Sequence, residues 1–355
     1  MTTFRVKRRQ APLTWGACLV LVGGVVLALG ASGALLALQG KSPAQGLVLL
    51  LTGAFGSVWA LEDCVIKAIP IFLCSLGVAV TFRLQIWNIG AEGQFALGAV
   101  GATWAALTFP DLHPALLLPI MFSAAALAGG FWGFVPGVLR AGLGVNEIIV
   151  TLMFNYLGIL LMEALVYGPW KDPASFGMPM TPLFSNGATV SAISEGTAIH
   201  WGVVVCLIVG AALSIVFRFT RLGFVLQACG ENVKAARYAR FPYRRLIVLV
   251  MAVGGVLAGW AGLMEASATV GRLQPSIMAG YGYTAIIVAW LARLSPFRIA
   301  LASFLLAGLR VGVENLQLEL QVPAAFGGIV EGMILIFVLA AGFFSTYSLS
   351  LIRRP

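Results

Sequence analysis

Charge is what this sequence has least of. Only 10% of its 355 residues are Asp, Glu, Lys or Arg, against 60% hydrophobic, whereas a soluble domain carries roughly 25% charged residues. That shortfall leaves too little polar surface to cover a water-soluble fold. Cysteine is sparse too. Cys18, Cys64, Cys74, Cys206 and Cys229 form no Cys-x-x-Cys pair and sit mostly in apolar runs, so they read as small embedded thiols rather than metal or redox ligands. The two histidines, His113 and His200, stand at loop edges with no second ligand in helical reach, and read as interfacial. No His-Glu-x-x-His or Gly-x-Ser-x-Gly occurs, and the 13 acids offer no nucleophile–base pairing. No catalytic residue, metal site or resident cofactor is expected. Gly40-Lys41-Ser42 mimics the end of a phosphate-binding loop, but Leu35 stands where that loop needs glycine.

What the chain has instead is length of apolar run. Eleven blocks can be drawn, at 15–38, 45–60, 65–82, 92–109, 115–138, 147–167, 201–217, 246–269, 277–292, 296–312 and 326–344, the pattern of repeated membrane spans. Basic residues concentrate at Arg5–Arg9, between Arg218 and Arg245, and at Arg353-Arg354. The excess of positive residues on cytoplasmic loops puts all three on the inner side, and explains the net charge of +9 without nucleic acid. Seven blocks separate the first two segments, and an odd number would place them on opposite sides. One block therefore does not cross. Block 45–60 is short and carries Gly46, Gly53 and Gly56, which suits an interfacial or re-entrant helix. The expectation is an all-α polytopic membrane protein, a single transmembrane domain over 1–355 with ten spans and both termini cytoplasmic. The N-terminus has the basic-then-apolar order of a secretory signal. Its apolar stretch is too long and lacks a small-x-small site, which favours a retained first helix.

Polar residues in apolar context need a partner or a water path, because a charge at the bilayer centre is costly. Trp87-Asn88-Ile89-Gly90-Ala91-Glu92-Gly93-Gln94 joins three polar side chains to two glycines between two spans. It reads as an unwound segment lining a transport path, or as a polar turn in which Glu92 caps the next helix. Asn146-Glu147 is followed by Thr151, Asn155 and Tyr156. Glu147, Thr151 and Asn155 share one helix face, which would face a pathway or hydrogen-bond a neighbouring helix. Glu163, Glu265, Glu314 and Glu331 lie near outer span ends, where partial solvation accounts for them. Two loops are long: an outer one over 168–200, containing Trp170 and Phe176, and an inner one over 218–245. The outer loop docks a partner or merely connects. Within the inner loop, Gly230-Glu231-Asn232-Val233-Lys234-Ala235-Ala236-Arg237-Tyr238-Ala239-Arg240 reads as a short helix stopped by Pro242. Its small alanines permit close approach and its Lys and Arg supply charge.

At 87–95 and 230–239 the sequence resembles the signature segments of bacterial ABC-importer permeases, the group that includes ribose and branched-chain amino acid permeases. Asn146-Glu147-Ile148-Ile149-Val150-Thr151-Leu152-Met153, with Asn155-Tyr156, is similar to the nucleoside (simple sugar) branch. The resemblance runs from about residue 50 to 345. It implies a ten-helix permease in two inverted five-helix halves in the bacterial cytoplasmic membrane. The transport-pathway candidates, read from their polar character within these segments, are Asn88, Glu92, Gln94, Asn146, Glu147, Thr151, Asn155 and Tyr156. The resemblance further implies that 230–240 is the coupling helix, with Gly230, Glu231, Asn232, Lys234, Ala235, Ala236, Arg237, Tyr238 and Arg240 meeting a separate ATPase that binds ATP and Mg. An external substrate-binding lipoprotein and a second permease subunit, expected to be a different chain rather than a second copy of this one, complete the implied assembly. The family usually continues Tyr-Ala-Gly-Ile, whereas this chain has Tyr238-Ala239-Arg240-Phe241. A pentose permease, an ion-coupled secondary transporter and a membrane-embedded enzyme are the competing readings.

Overall fold

A computed structural model describes the backbone of residues 2–8, 14–323 and 325–353. Arg9 and Arg354 lie outside the described residues, as do the side chains of residues 5–8, Cys18, Ala235, Arg237 and Glu331. The helices are α1 (Thr14–Leu38), α2 (Pro43–Phe55), α3 (Val58–Arg83), α4 (Ala91–Thr108), α5 (Pro114–Leu143), α6 (Glu147–Tyr167), α7 (Gly202–Phe219), α8 (Arg221–Glu231), α9 (Val233–Tyr238), α10 (Tyr243–Met264), α11 (Tyr281–Leu291), α12 (Pro296–Leu320) and α13 (Ala325–Thr346). Each apolar block overlaps at least one helix. Among the described residues, six helices are long and apolar enough to cross a membrane: α3, α5, α6, α7, α12, and α10 with its continuation to Val270.

Two expectations need correction, both on block bounds. The all-helical architecture holds, with one addition: β1 (Thr2–Arg8) pairs antiparallel with β2 (Tyr347–Arg353), Phe4 opposite Leu351 and Val6 opposite Leu349. Both segments alternate apolar and polar residues, the period of a strand. Block 45–60 spans two helices: α2 ends at Phe55 with Gly56 as its C-cap, and α3 begins at Val58, before the apolar block at 65. Block 277–292 is only part helix. With 11 residues, α11 rises roughly 16 Å, about half the ~30 Å hydrocarbon core. The chain before it is unwound apart from a 3₁₀ turn at Pro275–Ile277, bracketed by left-handed Gly271 (φ 72°) and Gly280 (φ 79°).

Local signals explain several boundaries. Gly40, at φ 74°, closes α1, and the Ser42 hydroxyl accepts from Gln45 N to cap α2. The apparent phosphate-loop remnant is therefore a helix-to-helix turn. Asn146 caps α6 by accepting from Ile148 N at 3.0 Å, with Glu147 favourably placed at the positive end of the helix dipole.

The chain divides into two compact units, the division falling inside α3 and α12. One comprises residues 1–64 and 308–355. In it Asn315 Nδ2 donates to Leu49 O at 3.0 Å, and Gly312 meets Leu50 backbone too closely for any side chain. The other, residues 65–307, is organised on α10. Gly254 faces Gly77 of α3, Gly255 faces Gly129 of α5, Gly259 faces Gly98 of α4, and Gly262 faces the Phe95 carbonyl. In lipid, helices gain little from apolar contact as such, so glycines that let backbones touch supply packing. At its end α10 widens into a π-helical stretch, Glu265–Val270. The 168–200 segment is laced to that end. Ser267 Oγ donates to Ala188 O at 2.6 Å and accepts from Val190 N, while Thr181 N and Phe184 N donate to Leu273 O and Gly271 O.

Candidate functional site

The chain leaves α3 at Arg83 and runs without helix to Ala91. An unwound backbone within an apolar protein must find partners for its own N–H and C=O groups, and the polar residues of 88–94 and α6 supply them. The Asn88 and Gln94 amides pair reciprocally, Nδ2 to Oε1 at 3.1 Å and Nε2 to Oδ1 at 3.3 Å, and Asn88 Oδ1 also accepts from Gly90 N. From α6, the Thr151 hydroxyl accepts from Ile89 N at 3.2 Å. Asn155 takes Gly93 N on its oxygen at 2.8 Å and gives its amide to Ile89 O at 2.7 Å. Gly93 is required here, since a Cβ would strike Phe154 O and Asn155 Cα. Asn88, Glu92, Gln94, Thr151 and Asn155 are all buried. The polar stripe of α6 thus holds the start of α4.

Glu92 joins this knot to a second broken element. Its Oε1 accepts from Gly280 N at 3.0 Å and its Oε2 from Gly282 N at 2.6 Å. A buried carboxylate survives when charge-assisted bonds and a helix N-terminus compensate its lost hydration; here it sits at the start of α11. Gly282 cannot carry a side chain, as its Cβ would overlap Glu92 N. Asn155 Nδ2 reaches the Tyr283 hydroxyl at 3.4 Å, and the Tyr281 hydroxyl donates to Glu265 Oε1 at 3.2 Å. Glu265 is therefore buried and bonded, a correction to its reading as a partly solvated span end. The arrangement brings together the beginnings of two helices, α4 and α11, each preceded by unwound chain.

Other site residues stand apart from this knot. Glu147 pairs with Arg140 (3.1 Å) across the α5–α6 turn, Asn146 serves as the cap already described, and Tyr156 is exposed, off the buried face. In the 230–240 segment the structure differs from a single helix. Gly230 and Glu231 end α8, and Asn232 interrupts the helix and caps α9 by accepting from Lys234 N at 3.0 Å. Glu231 accepts from the Gln227 amide at 2.9 Å. Ala236 is buried, while Lys234, Tyr238 and Arg240 are exposed. Arg240 has φ 56°, a left-handed conformation that glycine adopts freely and other residues do not; it is where the resemblance puts Gly.

Gly230 packs against the carbonyl of Arg83, with no room for a Cβ. The Arg83 guanidinium lies 3.7 Å over the Phe217 ring of α7 and donates to Leu294 O at 3.2 Å, beyond the end of α11. One residue thus touches the ends of α3, α7, α8 and α11. Residue pattern alone did not single out Arg83 in this way, nor Gly280, Gly282 and Tyr283. The run Gly280-Tyr281-Gly282-Tyr283-Thr284, glycines and aromatics inside an apolar block, was the available signal.

A family profile described as branched-chain amino acid transport system / permease component matches residues 60–339. A glucose ABC transporter permease of Haloferax volcanii is 32% identical over 350 residues, covering 96% of this chain and 91% of that one. A guanosine ABC transporter permease of Bacillus subtilis is 32% identical over 326 residues, covering 91% and 93%. A nucleoside ABC transporter permease of Lactococcus lactis is 28% identical, covering 82% and 86%. Long apolar helices, unwound backbone held by buried amides and a match across most of the chain lead to one assignment: this multi-pass membrane protein belongs to the branched-chain amino acid transport system permease family, as the permease component of an ABC transporter.

Proposed function

We infer that the chain is the permease of an ATP-driven importer for nucleosides in the bacterial cytoplasmic membrane. The observation that carries the substrate is the guanosine permease, similar over nearly the full length of both chains. Ten crossings are supported by the short α2, and the pairing of β1 with β2 fits an even count. Correspondence between α4 and α11, each entered through unwound chain, supports the two inverted halves.

In this reading the α4–α11 knot is the hinge of the pathway. Asn88, Glu92, Gln94, Thr151 and Asn155 position its backbone; Asn146 and Glu147 hold the inner turn beside it, and Tyr156 faces outward. An ATPase subunit, which binds ATP and Mg, engages the 230–240 segment through α9 and the exposed Glu231, Lys234, Tyr238 and Arg240. Its closure would travel through Gly230 to Arg83 and on to α11. A lipoprotein receptor docks on 168–200, where Phe176 is fully exposed on a loop fixed to α10. A second, different permease chain completes the pore, and nucleic acid has no part.

Glucose is the second reading, favoured by the similar glucose permease. Uptake of labelled guanosine and labelled glucose, with and without this gene, separates them. Loss of guanosine uptake that follows ATP depletion is the expected result, and loss of glucose uptake alone would favour the second reading. Loss that follows collapse of the ion gradient would overturn the ATP-driven mechanism.

A further inference from the structure

Where α3 and α11 end, a cavity of about 550 Å³ opens between Phe82, Gln85, Trp87, Trp290, Arg293 and Leu294. Its volume is in the range of small-molecule sites. Trp87 and Trp290 stack at 5.6 Å with 26° between their planes, and Phe82 tilts against Trp87 at 5.0 Å. The stack is not closed off: Trp87 is 39% exposed and Trp290 52%. Trp87 is also the residue immediately before Asn88, so the cavity adjoins the hinge.

The rim is unusual in its backbone. Gln85 (φ 56°), Arg293 (φ 47°) and Leu294 (φ 57°) all lie in the left-handed region. They terminate α3 and α11, where Gln85 N bonds Phe82 O, Arg293 N bonds Trp290 O, and Leu294 N bonds Ala289 O. Glycine is the usual residue at such helix ends because it adopts this conformation without strain. The chain keeps an amide and a guanidinium there instead, both on exposed residues lining the cavity. Their chemistry is complementary to an aromatic base. An indole offers a stacking face to any base, a guanidinium fork matches the paired O6 and N7 acceptors of guanine, and a Gln amide both donates and accepts. A free sugar presents neither the flat π-face nor the acceptor pair.

We propose that this cavity is a binding station for the purine base of the transported nucleoside, stacked on Trp290 and Trp87 with Arg293 and Gln85 at its edge. The proposal rests on the nucleoside reading and names the feature that selects base over sugar. It is tested with the complete transporter, ATPase and receptor included, reconstituted in vesicles and supplied with guanosine or glucose. Trp290→Leu and Trp87→Leu are each expected to raise the guanosine KM roughly tenfold, the scale of one lost base–aromatic stack, with kcat little changed. Trp290→Phe, which restores an aromatic face, should recover most of the affinity. If Trp87→Leu fails to assemble, the more exposed Trp290 carries the test. An unchanged KM in Trp290→Leu would overturn the cavity and leave the importer reading intact. Glucose uptake without guanosine uptake by the unaltered transporter would overturn both.

Discussion

The Glu92 carboxylate satisfies two backbone donors of α11 at once, Gly280 N and Gly282 N. Glu92→Gln keeps the shape but turns an NH₂ toward one of those donors. Leaving one buried group unpaired costs about 1–3 kcal/mol, so the variant should melt at a lower temperature in detergent; an unchanged melt would show that the carboxylate is not held this way. His200 supplies a pH test. Its Nδ1 accepts from Gly202 N at 3.1 Å, which only a neutral ring can do, and burial lowers its pKa from 6.5 to about 4. The unfolded chain therefore takes up a proton before the folded one does. Stability tied to His200 should be complete above pH 6.5, fall as pH drops toward 4, and level off below that, by about 3 kcal/mol at most. His200→Gln should flatten that slope in pH-dependent melts. At this scale the sequence made Asn88, Glu92, Gln94, Thr151 and Asn155 legible, because polar side chains stand out in apolar runs. Gly280 and Gly282 show in the sequence as glycines in an apolar block, but that their N–H groups meet Glu92 does not, since a backbone donor leaves no trace in residue type.

At the scale of the helix, apolar length located nearly every element but not the ends. Ile277, Met278 and Ala279 drew the ninth block outward, while left-handed Gly280 delays α11 to Tyr281. Gly230-Glu231 looked like a helix start because α8, with Arg221 and Gln227, is too polar to be seen as a block. Nor does hydropathy distinguish a glycine that packs from one that does not. Gly259 lies against Ala125 O and Gly129 Cα, whereas Gly142, near the end of α5, has open space where a Cβ would stand. Gly259→Val should push α10 off α5 and sharply reduce the folded yield on size-exclusion chromatography. Gly142→Ala should leave that yield intact and gain up to about 1 kcal/mol of helix propensity. Equal yields from the two variants would show that α10 tolerates a wider separation.

For the whole molecule, what matters is which distant residues meet, and that is least visible in one sequence. Apolar runs and the family could be read, yet nothing at Arg83 announced that Gly230, Phe217 and Leu294 converge on it. If that contact carries ATPase closure inward, Gly230→Val should separate two activities. The larger side chain would displace α8 from the Arg83 carbonyl, so reconstituted vesicles should still hydrolyse ATP while guanosine uptake falls at least tenfold. Parallel loss of both activities would point instead to failed assembly, and full coupling would show that the signal takes another route.

The ribbon between β1 and β2 bears on how the chain can be rearranged. Paired strands lie roughly 4.8 Å apart, so a linker of a few residues would join Thr2 and Arg353 without disturbing either. New ends could then be opened at the exposed tips Gly177 or Gly196, both left-handed and free of close neighbours. Such a circular permutant would insert its two halves in the opposite order, with the former ends as an internal hairpin. Its activity would show whether the order of synthesis matters to a protein in which β1 and β2 already pair.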